Sequence, residues 1–122
     1  MKEVEAWLSS PLMTDKIRKL LDNLKHLPGV YLMRDKEDTV IYVGKAKDLQ
    51  KRVSQYFLRP QSGKVFKMVQ NVDYFDTIIT KNEKEALILE MNLIQEHYPK
   101  YNILLKDDKH YPDSSKNPND FE

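Results

Sequence analysis

Residues 28–44 read Pro-Gly-Val-Tyr-Leu-Met-Arg-Asp-Lys-Glu-Asp-Thr-Val-Ile-Tyr-Val-Gly. Two β-branched and aromatic runs, Val30 to Arg34 and Thr39 to Val43, flank the polar Asp35-Lys36-Glu37-Asp38. That pattern predicts a β-hairpin, with Gly44 closing its second strand. With Arg34 set opposite Thr39, Tyr31 falls opposite Tyr42. Directly opposed side chains share a face, with Cβ atoms about 4.5–5.5 Å apart.

Upstream of the hairpin, Thr14 can cap a helix in which Ile17, Leu20, Leu21 and Leu24 form an apolar stripe. Pro28-Gly29 is its expected end. Downstream, Asp48 can cap a short helix with Leu49, Arg52, Val53 and Tyr56 on one face. Pro60 to Gly63 breaks the chain. Lys64 to Asn71 reads as a helix with Val65, Met68 and Val69 inward, and Tyr74 to Thr80 as a third strand. Asn82 and Glu85 resemble a capping box, and Glu83 and Glu85 suit a positive helix start. The helix body then runs from Ala86 to about His97, stopped by Pro99. The expected organisation is a helical segment over 1–27, a domain over 28–106 and a polar, disordered end over 107–122.

A chain of 122 residues and 14.5 kDa fits one domain. The absence of cysteine excludes disulfides, thiol nucleophiles and thiolate zinc sites. Scattered His26, His97 and His110 cannot build a histidine-only metal cage. No apolar run approaches the roughly 20 residues that span a bilayer. Acidic Glu3 and Glu5 at the N-terminus argue against a secretory signal, so the expected compartment is the cytoplasm. Net charge is only +1, yet residues 45–67 hold Lys45, Lys47, Lys51, Arg52, Arg59, Lys64 and Lys67 against Asp48 alone. A basic segment inside a neutral chain is either a solvated surface or a footprint for a polyanion.

Three features could carry chemistry. Glu90 lies in an apolar stripe, with Ala86 and Leu87 before it and Leu93 and Ile94 after it. A carboxylate there is costly unless compensated by a cation, a hydrogen-bond network or a metal; the ordinary alternative is a stripe-edge Glu reaching water. One carboxylate can hold Mg²⁺, which keeps several waters. Tyr31 and Tyr42 are either core residues or, with Lys45 or Arg52 nearby to favour phenolate, a general base. Arg52 shares its face with Leu49 and Val53, which suits a pocketed phosphate or a salt bridge to a carboxylate such as Glu90. Gly44-Lys45-Ala46-Lys47 lacks the preceding glycine and the Ser/Thr of a P-loop.

Gly29-Val30-Tyr31, ten residues, then Tyr42-Val43-Gly44 resembles the paired signature of the GIY-YIG nuclease superfamily, with Val for Ile in both halves. Lys45-Ala46, Arg52, Tyr56, Glu90 within Glu85 to Ile94, Asn102 within Pro99 to Ile103, and Leu105 to Pro112 continue the match in order. Within that superfamily the stretch is most similar to the N-terminal nuclease domain of the UvrC family. The resemblance implies an α+β fold, a small three-stranded antiparallel or mixed sheet flanked by helices. It implies metal-dependent hydrolysis of one DNA phosphodiester, on the 3′ side of a lesion, with damaged duplex and the UvrB helicase subunit as partners. It also implies roles: Glu90 as sole protein ligand of Mg²⁺ or Mn²⁺, Tyr31 or Tyr42 as the base with Tyr31 favoured, and Lys45 orienting the tyrosines. Arg52 would face the scissile phosphate, and Tyr56 and Asn102 would position phosphate or neighbouring side chains. Gly44, Lys47, Lys51, Lys64 and Lys67 would follow the DNA backbone. UvrC proteins are much longer, so an excised domain, a stand-alone nuclease on branched or foreign DNA, and a non-catalytic DNA-binding module stay open.

Overall fold

Strands β1 (Gly29–Arg34) and β2 (Val40–Ala46) form the antiparallel hairpin in the computed structural model, which describes residues 14–108, and side chains through Leu105. The pairing differs from the expected one: Tyr31 lies opposite Gly44, and Met33 opposite Tyr42. The turn causes the shift. The Asp35 N–H donates to the Thr39 carbonyl, and the Asp35 carboxylate accepts from the Glu37 and Thr39 N–H groups, so Thr39 belongs to the loop. Asp38 takes the left-handed conformation there (φ 68°). Between Arg34↔Val40 and Met33↔Tyr42, Ile41 has no partner and bulges. The displacement is two residues, and side chains alternate with period two. Tyr31 and Tyr42 therefore keep a common face, as diagonal rather than opposed neighbours. Strand β2 also runs past Gly44, two residues beyond its expected end.

Flanking elements follow their signals. The Thr14 hydroxyl accepts from the Ile17 N–H at the start of α1 (Asp15–Asp22), which ends at Asn23, ahead of the expected Pro28-Gly29 stop. Asp48 caps α2 (Leu49–Leu58) through the Lys51 N–H. Helix α3 (Gly63–Asn71) leads into β3 (Tyr74–Ile79), which pairs antiparallel with β1 to give the order β2-β1-β3. In α4 (Glu83–His97) Asn82 accepts from the Glu85 N–H, but Glu85 reaches back to the Lys81 N–H rather than to Asn82. Helix α5 (Lys100–Asp108) was not read from the sequence; it takes in the first two residues of the expected disordered end, and the rest of that end lies outside the described residues.

The sheet has a core on each face. Tyr31, Met33, Ile41, Tyr42 and Phe75 pack with α1, α2, α3 and α5. Val30, Leu32, Val40 and Val43 pack with Ala86, Leu89, Leu93 and Ile94 of α4. The two tyrosine side chains thus pack on one face of the sheet and the helix that carries Glu90 on the other, with β2 at one edge. Among the described residues no helix is long and apolar enough to cross a membrane.

Candidate active site

Gly44 explains how the first tyrosine is seated. A Cβ there would lie 2.3 Å from both Cζ and Oη of Tyr31, so the ring occupies the space a side chain would fill. Gly44→Ala should therefore cost about 1–3 kcal/mol through overpacking. Urea denaturation checks this, with an unchanged midpoint as the contrary result.

Tyr31 is 1% exposed. Its hydroxyl bonds the Tyr56 hydroxyl at 2.9 Å, and the Tyr31, Tyr42 and Tyr56 rings meet with centroids 5.8–6.4 Å apart. Tyr56 comes from α2, one turn beyond Arg52, whose guanidinium lies 5.9 Å from the Tyr56 ring centre. Tyr42, Arg52 and Tyr56 line a cleft of about 200 Å³, with Gln55, Gln61, Val65 and Leu105. Tyr31 is not in that lining; Tyr42, 5% exposed, is. Arg52 is exposed rather than turned into the core beside Leu49 and Val53, yet its guanidinium reaches the Tyr31 hydroxyl, which raises its pKa.

A second cleft of about 430 Å³ adjoins the first and shares Arg52 and Gln55 with it. Lys45, Lys47, Lys51 and Glu83 line it. Glu83, read from sequence only as a helix-start residue, is thus part of this basic cleft. Gln55, Gln61, Val65 and Leu105 were also missed as site residues; Gln55 alone had a signal, three positions after Arg52 on the same helical face.

Electrostatics run against easy phenolate formation. Burial raises the Tyr31 hydroxyl well above the ordinary phenol range, and Tyr56 and Tyr42 raise it further while Arg52 opposes them. Burial also raises Tyr42; its bond to Tyr56 and the Arg52 charge pull it back, and the Glu90 carboxylate pushes it up again. Tyr56 is pushed up to about 12, mainly by burial. The expected lowering by cations exists for Arg52, but desolvation outweighs it at all three phenols. Glu90, half-buried on α4, is close enough to Tyr42 across the β2 edge for its charge to be felt there.

Asn102 has a definite partner. Its side-chain oxygen accepts from the Val43 N–H at 2.8 Å, and its nitrogen donates to the Val43 carbonyl at 2.9 Å. It thereby ties α5 to the edge of β2 between Tyr42 and Gly44. Lys64 donates to the Leu104 carbonyl at 3.4 Å, linking α3 to α5, and lines neither cleft. Lys67 is exposed on α3, also outside both clefts.

Residues 27–103 match the family model for a UvrC-like GIY-YIG domain. The chain is 57% identical over 97 residues to the UvrABC system protein C of Finegoldia magna, covering 79% of this chain and 16% of that protein. It is 61% identical over 94 residues to that of Clostridium botulinum, covering 75% of this chain and 15% of that protein. The chain thus spans about a sixth of these relatives' length. Among solved structures it resembles the GIY-YIG N-terminal endonuclease domain of UvrC from Thermotoga maritima, bound to its catalytic divalent cation, magnesium. That match has 46% identity and a TM-score of 0.66, and covers 73% of this chain and 98% of that one.

Proposed function

The chain belongs to the GIY-YIG family as a UvrC-like domain, and from that premise we propose that it hydrolyses single DNA phosphodiester bonds with one divalent cation. In this reading the cut is the 3′ incision of excision repair, made on damaged duplex with UvrB, as the family resemblance implies. The observation that carries the reading is the meeting, at the β2 edge, of Tyr42, Arg52 and Tyr56 around one cleft, with the Glu90 charge acting on Tyr42.

The donor set fits the cation. No cluster of three or more His, Cys, Asp or Glu able to hold a metal exists among the described residues. That argues against a protein-caged ion and suits a hard cation that keeps most of its waters, Mg²⁺ or Mn²⁺, held by Glu90. When bound, the cation supplies Lewis acidity toward a phosphate oxygen and offsets the charge that the reaction develops.

The chain's own residues supply the rest. In this reading Tyr42, which lines the cleft, takes the proton from water, where the sequence left Tyr31 or Tyr42 and favoured Tyr31. Tyr31 supports the cluster by holding Tyr56. Arg52, permanently charged, meets the scissile phosphate. Lys45, Lys47 and Lys51 neutralise backbone in the adjoining cleft, and Asn102 fixes the stretch of β2 that carries Tyr42. Lys64 and Lys67 contribute less than their charges suggest, since they lie outside both clefts.

Nicking of supercoiled plasmid in Mg²⁺ or Mn²⁺, abolished by chelator and restored by metal, tests the activity. Replacing Lys47 and Lys51 by Ala should lower the salt slope of DNA binding by about 2 (~0.9 per phosphate contact) and leave the cutting rate at saturating DNA unaltered. Nicking indifferent to chelator contradicts the metal assignment.

A further inference from the structure

The cleft beside Tyr42 holds more than the reaction needs. Beyond its catalytic wall it continues to Gln55, Gln61, Val65 and Leu105, contributed by α2, the loop after it, α3 and α5. Glu90 is not part of this lining. Its volume, about 200 Å³, is below the roughly 300–1,000 Å³ of drug-sized pockets and on the scale of one flat ring system.

Charge is divided unequally between the two neighbouring clefts. Three lysines and Arg52 line the larger one, against Asp48 and Glu83. The smaller has Arg52 as its one cation, with two tyrosine rings, two aliphatic side chains and two amides. A phosphodiester backbone suits the first. The second offers little to a phosphate beyond Arg52, but offers a planar, weakly polar group apolar area and ring faces. Its amide chemistry is partly fixed: Gln61 Nε2 donates to the Gln55 and Arg59 carbonyls at 2.9 and 3.3 Å. The Gln61 amide oxygen is left to accept from a ligand.

We infer that this cleft is a nucleobase subsite. It receives the base of a nucleotide next to the scissile bond, turned out of the duplex stack while its phosphate stays on Arg52. The inference rests on the nuclease reading above and adds to it where the neighbouring base goes. Turning out a base costs least at a mismatched or damaged position, so occupancy of the subsite would favour weakened duplex. Contact with tyrosine rings offsets part of that cost.

The test uses the full 122-residue chain, with Ca²⁺ replacing Mg²⁺ to hold off cutting. Duplexes carry the fluorescent base 2-aminopurine at each position in turn across the mapped cut. A several-fold rise in emission at one nucleotide beside the cut, and nowhere else, is the expected result. In a second arm, Val65→Phe fills the cleft. It should lower kcat/KM about tenfold further on intact duplex than on duplex with an abasic site at that nucleotide, equivalent to one lost stacking contact, beyond any loss the two share from crowding Tyr42 and Arg52 in the same cleft. If Val65→Phe does not fold, the emission experiment on the parent chain decides alone. Emission that stays flat, or rises away from the cut, while DNA is bound and cut in Mg²⁺ overturns the subsite and leaves the nuclease reading intact. Equal losses from Val65→Phe on intact and abasic duplex also overturn it. Absence of any metal-dependent cutting overturns both.

Discussion

Glu90→Gln should abolish metal-dependent nicking, with a fall in rate of about 10³-fold or more, because the cation's several kcal/mol of transition-state stabilisation goes with its ligand. The substitution keeps size and shape and removes only charge, so the fold should persist. The sign of its second effect makes it informative. Glu90 raises the Tyr42 hydroxyl, so the neutral amide eases phenolate formation at Tyr42. Were Glu90 only an electrostatic neighbour of the tyrosine, the variant would cut as well as the parent or faster. A large loss therefore points to a role that an amide cannot fill, that of holding a divalent cation. DNA binding in the absence of metal should not weaken, because the lysines of the adjoining cleft carry it and a nearby negative charge has gone. Plasmid nicking in Mg²⁺ and Mn²⁺, beside a filter-binding isotherm, measures both. Parent-like nicking by Glu90→Gln contradicts the assignment.

What was legible in the sequence was the strand runs, the turn between them and the caps. Two apolar runs around a polar turn marked the hairpin, and Thr14, Asp48 and Asn82 each cap the helix they were read to start. The register was missed by two residues because a carboxylate-closed loop and a bulge at Ile41 depend on which backbone groups Asp35 finds. Face assignment survived because it depends only on parity. Helix α5 was missed because Lys100 to Asp108 has no clean apolar stripe: Tyr101 and Leu105 bury one face, while Ile103 remains exposed on another. The residue types of the site were legible, but their depth was not. Nothing in the letters distinguishes a tyrosine outside the cleft lining from one within it, the difference on which the proposed choice of base turns. Likewise the two hydrogen bonds between Asn102 and Val43 join residues far apart in the chain, and sequence spacing alone gives no reason to expect an asparagine to complete a strand edge.

Tyr42→Phe should lower the rate by about 10²–10⁴-fold, the range that a positioned general base supplies, and cost about 1 kcal/mol of stability because its hydroxyl also bonds Tyr56. Tyr31→Phe should differ from it in rate. It removes a hydroxyl bonded to Tyr56 in a buried cluster, and Tyr56 then lacks that partner; the cost is about 1–3 kcal/mol of stability, with a smaller change in rate. The difference follows from position, since Tyr42 lines the cleft and Tyr31 does not. A pH profile separates the two roles further. An unperturbed phenol, with a pKa of about 10, is only about 0.1% phenolate at pH 7, and the raised Tyr42 is ionised less than that in the cation-free protein. The parent's log rate should then climb with pH through neutrality and into the alkaline range, since the base-competent form is still scarce there. Tyr31→Phe should keep that slope, because the ionising phenol is untouched. Tyr42→Phe should lose the part of the slope that belongs to the phenol. If instead Tyr31→Phe flattens the profile and Tyr42→Phe keeps it, the proton passes through the buried tyrosine, and the cluster must open before each cut.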